Sequence, residues 1–283
     1  MADGQSPKQK IGAIIQARMA SHRLPNKILF PLPSPEGSTL LGRIIDLLKK
    51  SSRITHIIVA TSKNPQDDVL VDFLQQQQVD FFRGDEQDVF SRFYQITNKH
   101  QFDIIARITG DNPSLDYQLL DQTIDYHTAQ QNEYTKSTGL PMGMNFEIVS
   151  GNALTALNPS ELSETEKEHV TPRFRNGNYK QGELQFDIQP EIANLRMTID
   201  YPADYAMFSL LFAHSKPENT PLENLKNVFE QLPWIFNINA HLIQKKAFNT
   251  LEEELPEAIS VLENLDLFKS AQELKALHKR NTQ

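Results

Sequence analysis

Between Gln16 and Lys27 the chain reads Gln-Ala-Arg-Met-Ala-Ser-His-Arg-Leu-Pro-Asn-Lys, which puts three cations, Arg18, Arg23 and Lys27, in one short segment. Two guanidinium forks and an ammonium point charge suit a polyphosphate, because charge-assisted hydrogen bonds to phosphate oxygens are short and strong. The competing reading is a solvated basic loop. Two carboxylates form a second group. Asp111 lies in Thr109-Gly110-Asp111-Asn112-Pro113 and Asp200 in Ile199-Asp200-Tyr201-Pro202. Each either holds a divalent cation, for which hard oxygen ligands are suited, or caps the helix that follows it. There is no Gly-x4-Gly-Lys-Ser/Thr and no Gly-x-Gly-x-x-Gly, so neither a P-loop nor a dinucleotide fingerprint is present. The absence of cysteine removes thiolate nucleophiles, Fe–S clusters and disulfides together. No Ser–His–Asp arrangement stands out, and phosphoryl-type transfer needs none, since it depends on positioning and electrostatics.

These residues require a scaffold that presents loops along one edge. The first half supplies it by alternating short apolar runs with amphipathic segments. Strands are expected at Ile11–Ala17, Ile57–Thr61, around Phe81–Phe82, and at Asp103–Ile108. Helices are expected at Leu40–Lys50, Asp67–Gln76, Gln87–Lys99 and Leu115–His127. Near-continuous apolar strands separated by helices predict an α/β fold of three layers, a mostly parallel sheet with helices on both faces. Ligands of such sheets bind beyond the carboxyl ends of the strands, where all the residues named above fall. Further on, strands are expected at Asn145–Ser150, Leu184–Ile188 and Leu195–Ile199, and a polar helix at Glu161–Phe174. A helix at Ala203–Ser215 follows Pro202, a first-turn proline. Residues 1–10 read as a flexible N-terminus, 11–215 as the α/β domain, and 216–283 as a mainly helical C-terminal extension after a Lys216–Thr220 linker. Trp234 reads as core or interface.

The 283 residues carry 28 Lys and Arg against 36 Asp and Glu, a formal net charge of −8. That balance disfavours nucleic acid as a partner. No apolar run reaches the roughly 18–20 residues of a membrane helix. The polar start lacks a signal-peptide core, so a cytoplasmic protein is expected.

The Gln16–Lys27 segment resembles the signature of the cytidylyltransferases that activate acidic sugars, which include sialic acid and 3-deoxy-manno-octulosonate cytidylyltransferases. The similarity is nearest to the branch named for the spore coat polysaccharide biosynthesis protein F. Further stretches agree in order: Ile58–Ser62, Phe82–Val89 with Arg92 and Tyr94, Arg107–Pro113, Glu168–Pro172 and Arg196–Asp204. Weaker ones around Ile238–His241 and Gln244–Lys246 reach into the tail. Three positions depart from the pattern: His22 where Thr is common, Asn26 where Gly is common, and Asn112 where Cys is common. Asn tolerates left-handed backbone, so Asn26 is expected to keep the turn.

The resemblance implies a nucleotide-diphospho-sugar transferase-like fold and transfer of CMP from CTP to an acidic sugar, with release of pyrophosphate, in surface polysaccharide biosynthesis. It implies nucleotide contacts from Gln16, Ala17, Arg18, Arg23, Lys27, Thr61, Arg83 and Gly110, with Arg18, Lys27 and Asp111 catalytic. Asp111 and Asp200 would hold Mg²⁺. Glu147 would face the sugar or else solvent. Glu168 and His169 would lie near the acceptor, across a subunit interface, or on a solvated helix face. Arg83, Asp85 and Arg92 would serve as ribose, base or ion-pair residues. A homodimer is implied, paired through about residues 139–180. Two alternatives stay open: a nucleotide-sugar glycosyltransferase, although no Asp-x-Asp occurs in the chain, and a non-catalytic nucleotide-binding protein of the same fold.

Overall fold

The structure, a computed structural model, describes residues 9–242 and 250–281. Most of the N-terminal segment 1–10, and Gln244–Lys246, lie outside the described residues. The chain divides into two compact units, Met1–Phe236 and Asn237–Gln283.

In the first unit β1 (Ile11–Gln16) leads through the cationic loop to a small antiparallel ribbon, β2 (Pro31–Leu32) and β3 (Ser38–Thr39), and then to α1 (Leu40–Leu48). Three more strand–helix pairs follow: β4 (His56–Ser62) with α2 (Asp68–Gln76), β5 (Asp80–Gly84) with α3 (Val89–His100), and β6 (Ile104–Thr109) with α4 (Tyr117–Gln130). Next come β7 (Tyr134–Thr138), β8 (Glu147–Ser150), α5 (Gly151–Thr155), α6 (Glu164–His169), α7 (Pro172–Asn176), β9 (Gln181–Gln185), α8 (Pro190–Ala193), α9 (Pro202–Ala213) and α10 (Pro221–Gln231). The second unit holds α11 (Leu251–Asn264) and α12 (Phe268–Asn281). No helix among the described residues is long and apolar enough to cross a membrane.

The seven-stranded sheet has the order β5-β4-β1-β6-β8-β7-β9, with helices around it. Only β8 runs antiparallel to its sheet neighbours. The apolar runs make the core: Ile14, Ile58, Ala60, Ile105 and Val149 from the strands meet Phe90, Phe93 and Ile96 of α3, all at most 1% exposed. The chain winds outward from β1 through β4 to β5, then returns to place β6 on the other side of β1. That reversal is the switch point where loops splay apart and ligands enter. Here it joins Gln16-Ala17 to Gly110-Asp111, with Gly110 N–H donating to Gln16 O at 2.9 Å.

The later elements depart from expectation in five places. The polar helix expected at Glu161–Phe174 is two short helices separated at Val170, whose φ is 66° and ψ −49°. Pro172 explains the break, because its ring and missing N–H cannot continue the turns before it. Leu195–Ile199 does not join the sheet. It makes one isolated bridge, Met142 to Arg196, and hooks Ile199 N–H onto Asp111 O at 2.9 Å. The segment Lys216–Thr220 is structured rather than a linker: Thr220 and Glu223 form a capping box for α10, and Lys216 N–H bonds to Asn224 Oδ1. Trp234 is 55% exposed, not core. The strand β7 was not foreseen.

Candidate active site

The cationic loop is folded back on itself by Asn26, which adopts left-handed backbone at φ 61° and donates its N–H to Met19 O. Asn there meets the need that Gly would otherwise meet. A buried carboxylate anchors the other limb. Asp67, 1% exposed, accepts Met19 N–H at 2.7 Å and the hydroxyls of Thr61 and Ser62. Thr61 therefore spends its hydroxyl on the loop's anchor.

With the loop so held, Lys27 points inward and is 9% exposed. Its ammonium donates to Ile199 O at 2.5 Å, to Asp200 Oδ1 at 3.0 Å and to Asp111 Oδ2 at 3.4 Å. Arg23 reaches the same carboxylate, 2.8 Å from Asp200 Oδ1, with its guanidinium over the Tyr201 ring. Arg196 takes the other oxygen, Oδ2, at 3.0 Å. Burial by itself would raise the Asp200 carboxyl, but Lys27, Arg23 and Arg196 outweigh it and hold the group below the ordinary carboxylate range.

The capping alternative for both acids fails on geometry. Asp204, wholly buried, accepts the N–H groups of Asp200 and Tyr201 and caps α9 from its third position. Asp116 does the same for α4, accepting from Gln118 and Leu119. The Asp111 and Asp200 carboxylates are thus turned toward the cationic loop, at the end of β6 and in the segment bridged to it.

Gly110 lets the two strand ends approach closely here, since a Cβ would lie 3.0 Å from the Ala17 Cβ and 3.1 Å from Gln16 O. Gly143 is needed next to Asn112 and Met197: at φ 92° its Cβ would lie 2.3 Å from Met197 O. Asn112 donates to Thr109 Oγ1 at 2.7 Å.

The other residues of interest lie apart from Lys27. Arg18 is 43% exposed along its side chain and pairs with Glu86 at 3.3 Å. Arg83 is held by the carbonyls of Ser62 and Asn64 and by Asp68. Arg92 is 1% exposed, with its stem under Gly84. Asp85 caps its own loop through the N–H groups of Gln87 and Asp88. Glu168 and His169 are exposed at the end of α6.

Glu147 is enclosed. Its carboxylate accepts Arg107 at 3.0 Å, Arg175 at 2.8 Å, the Tyr134 hydroxyl at 2.5 Å and the Thr171 hydroxyl at 3.0 Å. Burial pushes its carboxyl up, yet Arg107 and Arg175 prevail and hold it low, while burial and Glu147 push the Tyr134 phenol above its ordinary range. Asp67, Arg107, Arg175, Arg196 and Asp204 were not singled out as site residues from sequence. Arg196 and Asp204 had a signal, their spacing of four on either side of Asp200.

Among the described residues no three Asp, Glu or His side chains gather as a metal centre. What is present is a pair of carboxylates facing one cationic loop at the switch point of a parallel sheet, the arrangement of a nucleotidyltransferase. Residues 12–253 match the cytidylyltransferase family, and the chain belongs to it. It is a CTP-dependent nucleotidyltransferase.

It is 32% identical over 246 residues to the uncharacterized protein MJ1063 of Methanocaldococcus jannaschii, covering 86% of this chain and all of that one. It is 35% identical over 209 residues to the spore coat polysaccharide biosynthesis protein SpsF of Bacillus subtilis, covering 70% of this chain and 85% of that protein. A solved cytidylyltransferase from Leptospira borgpetersenii superposes with a TM-score of 0.73 at 27% identity, covering 85% of this chain and all of that one.

Proposed function

We propose that the protein transfers CMP from CTP to the anomeric hydroxyl of an acidic sugar, sialic-acid-like or octulosonate-like, for surface polysaccharide synthesis. The observation that carries this reading is the placement of Lys27 between Asp111 and Asp200, with Arg23 alongside. The similarity to SpsF, and to a 3-deoxy-manno-octulosonate cytidylyltransferase at 28% identity over 114 residues, supports the sugar class.

In this reading the sugar oxygen attacks the α-phosphorus in line, the bond to the β-phosphate oxygen breaks, pyrophosphate leaves, and the hydroxyl proton is lost to solvent. Lys27, Arg23 and Arg18 offset the β- and γ-phosphate charge. Gln16, Ala17, Thr61, Arg83 and Gly110 shape the nucleotide's bed, and Glu168 and His169 border the acceptor. The Asp111 carboxylate, 30% exposed and 3.4 Å from Lys27, offers Mg²⁺ an accessible hard oxygen, and Asp200, whose oxygens Lys27, Arg23 and Arg196 engage, would join it by giving up one of these cations. Bound there, the ion supplies positive charge to the phosphates. Pairing of two copies through about residues 139–180, and a cytoplasmic site of action where CTP is made, belong to the same proposal.

The test is a thermal-shift panel of CTP, UTP, ATP and GTP with and without Mg²⁺, followed by pyrophosphate release with sugar acids. A ligand at about 100 times its dissociation constant stabilises by about 2.7 kcal/mol. The largest shift with CTP plus Mg²⁺, and pyrophosphate released with a sugar acid, are expected. A CTP shift with no pyrophosphate released with any sugar acid would overturn the sugar-acid reading.

A further inference from the structure

A second polar cluster lies beside the nucleotide loop, and its charges do not balance. Arg107 and Arg175 share the single carboxylate of Glu147. Tyr134 and Thr171 add hydroxyls to the same two oxygens, so Glu147 has no capacity left to accept from a ligand. The surplus is one guanidinium charge with unspent donors. Arg107 Nε is buried without a partner. Arg175 uses Nε and Nη2 on Glu147, Tyr134 and Thr171, and its side chain remains 49% exposed. The cluster touches the nucleotide loop directly, since Arg107 Nη2 lies 3.4 Å from Gln16 Oε1, and Gln16 O accepts from Gly110.

The backbone around the cluster is strained to hold it. Val170, a buried β-branched residue, has a positive φ, and Thr171 N–H bonds to His169 O at 2.7 Å across it. This is the costly form of the γ-turn, and such outliers persist where the surroundings over-determine them. Here the turn sets Thr171 and Arg175 on Glu147. The carboxylate is therefore a brace that aims two arginines.

We propose that the Arg107–Glu147–Arg175 cluster is the receptor for the carboxylate of the acceptor sugar. The inference rests on the acidic-sugar reading given above and deepens it. In a 2-keto sugar acid the carboxylate is borne by the anomeric carbon itself, one bond from the attacking oxygen. Its receptor must therefore border the nucleotide loop, and this cluster does. A second carboxylate brings two cations and two anions into balance, and the planar guanidinium of Arg175 suits a forked contact.

The experiment compares a 2-keto-3-deoxy sugar acid with its methyl ester, by pyrophosphate release, in the wild-type enzyme, Arg175→Met and Arg175→Lys. Wild type should prefer the acid by about 100-fold in kcat/KM, as a charged hydrogen-bonded contact requires. In Arg175→Met that preference should fall below about 10-fold, with KM for CTP and the CTP-induced thermal shift retained. Arg175→Lys, which keeps the brace's charge but not the fork, should fall between the two and decides the matter if the methionine variant does not fold. An acid preference unchanged in a folded variant overturns this receptor while leaving the acidic-sugar reading standing. Wild-type turnover of neutral sugars alone, or no preference for acid over ester, overturns both.

Discussion

The Lys27 ammonium sits between two carboxylates that are distant in sequence, 3.4 Å from Asp111 and 3.0 Å from Asp200, and is steadied by the Ile199 carbonyl. Because Ile199 N–H bonds to Asp111 O, the two acids are fixed to each other through backbone before any ligand arrives. Such preorganisation is what electrostatic catalysis asks of a site.

Lys27→Ala should weaken CTP binding by about 10- to 100-fold, the worth of a charged hydrogen-bonded contact. Calorimetric titration with CTP checks this. An unchanged dissociation constant would remove Lys27 from the phosphate site.

Asp111→Asn should lower turnover by roughly 100-fold or more, by analogy with losing one charge-stabilising group. The Asp111 carboxylate is partly exposed, so melting temperature should move little. Wild-type-like pyrophosphate release would exclude it from the mechanism.

Asp204→Ala should be the most destabilising of the aspartate changes, by about 3 kcal/mol, because it removes a buried carboxylate paired with Arg196 and uncaps α9. Urea denaturation reads the loss. A variant as stable as wild type would contradict the burial argument.

The folded Asp200 carboxyl is held below its ordinary value of 3.8, so its contribution to stability is present above that value and is lost as pH falls through the lower folded value. The melting-temperature gap between wild type and Asp200→Asn should therefore be constant near neutrality and close below about pH 4. A gap that persists at lower pH would show that the ion pairs do not stabilise the fold.

Asn26→Gly should leave stability within about 0.5 kcal/mol, whereas Asn26→Val should cost about 1–2 kcal/mol, since only the latter resists left-handed backbone. CTP affinity should follow the same order. Equal tolerance of valine would mean the turn is not what shapes the loop.

The strands β1, β4, β5 and β6 and their helices were legible because their apolar runs are buried and self-announcing, as Ile11–Ile15 and Ile57–Ala60 illustrate. The turn at Asn26 was legible from one residue's backbone tolerance, and the structure gives it φ 61°. Tyr134–Thr138 was not, because Lys136 and two threonines dilute the pattern of a strand paired on both sides. Leu195–Ile199 looks like a strand by composition but spends its backbone on Asp111 and Met142. Within the site, the loop and the two acids could be read from motifs. Glu147's pairing with Arg107 and Arg175, 40 and 28 residues away, leaves no local trace. Arg83, expected as a ribose, base or ion-pair residue, has an ion pair with Asp68 and two backbone carbonyls as partners, which its motif does not announce.

The three-way contact of Lys27 also fixes when, during synthesis, its ammonium can first take up its place. Its partners lie 84, 172 and 173 residues downstream, separations that make these late, non-local contacts. A nascent chain that had completed β1, β4, β5 and β6 would already expose the cationic loop, yet with nothing to hold the ammonium in place. The fixed position of the Lys27 ammonium must therefore wait until the segment through Asp200 has emerged and folded.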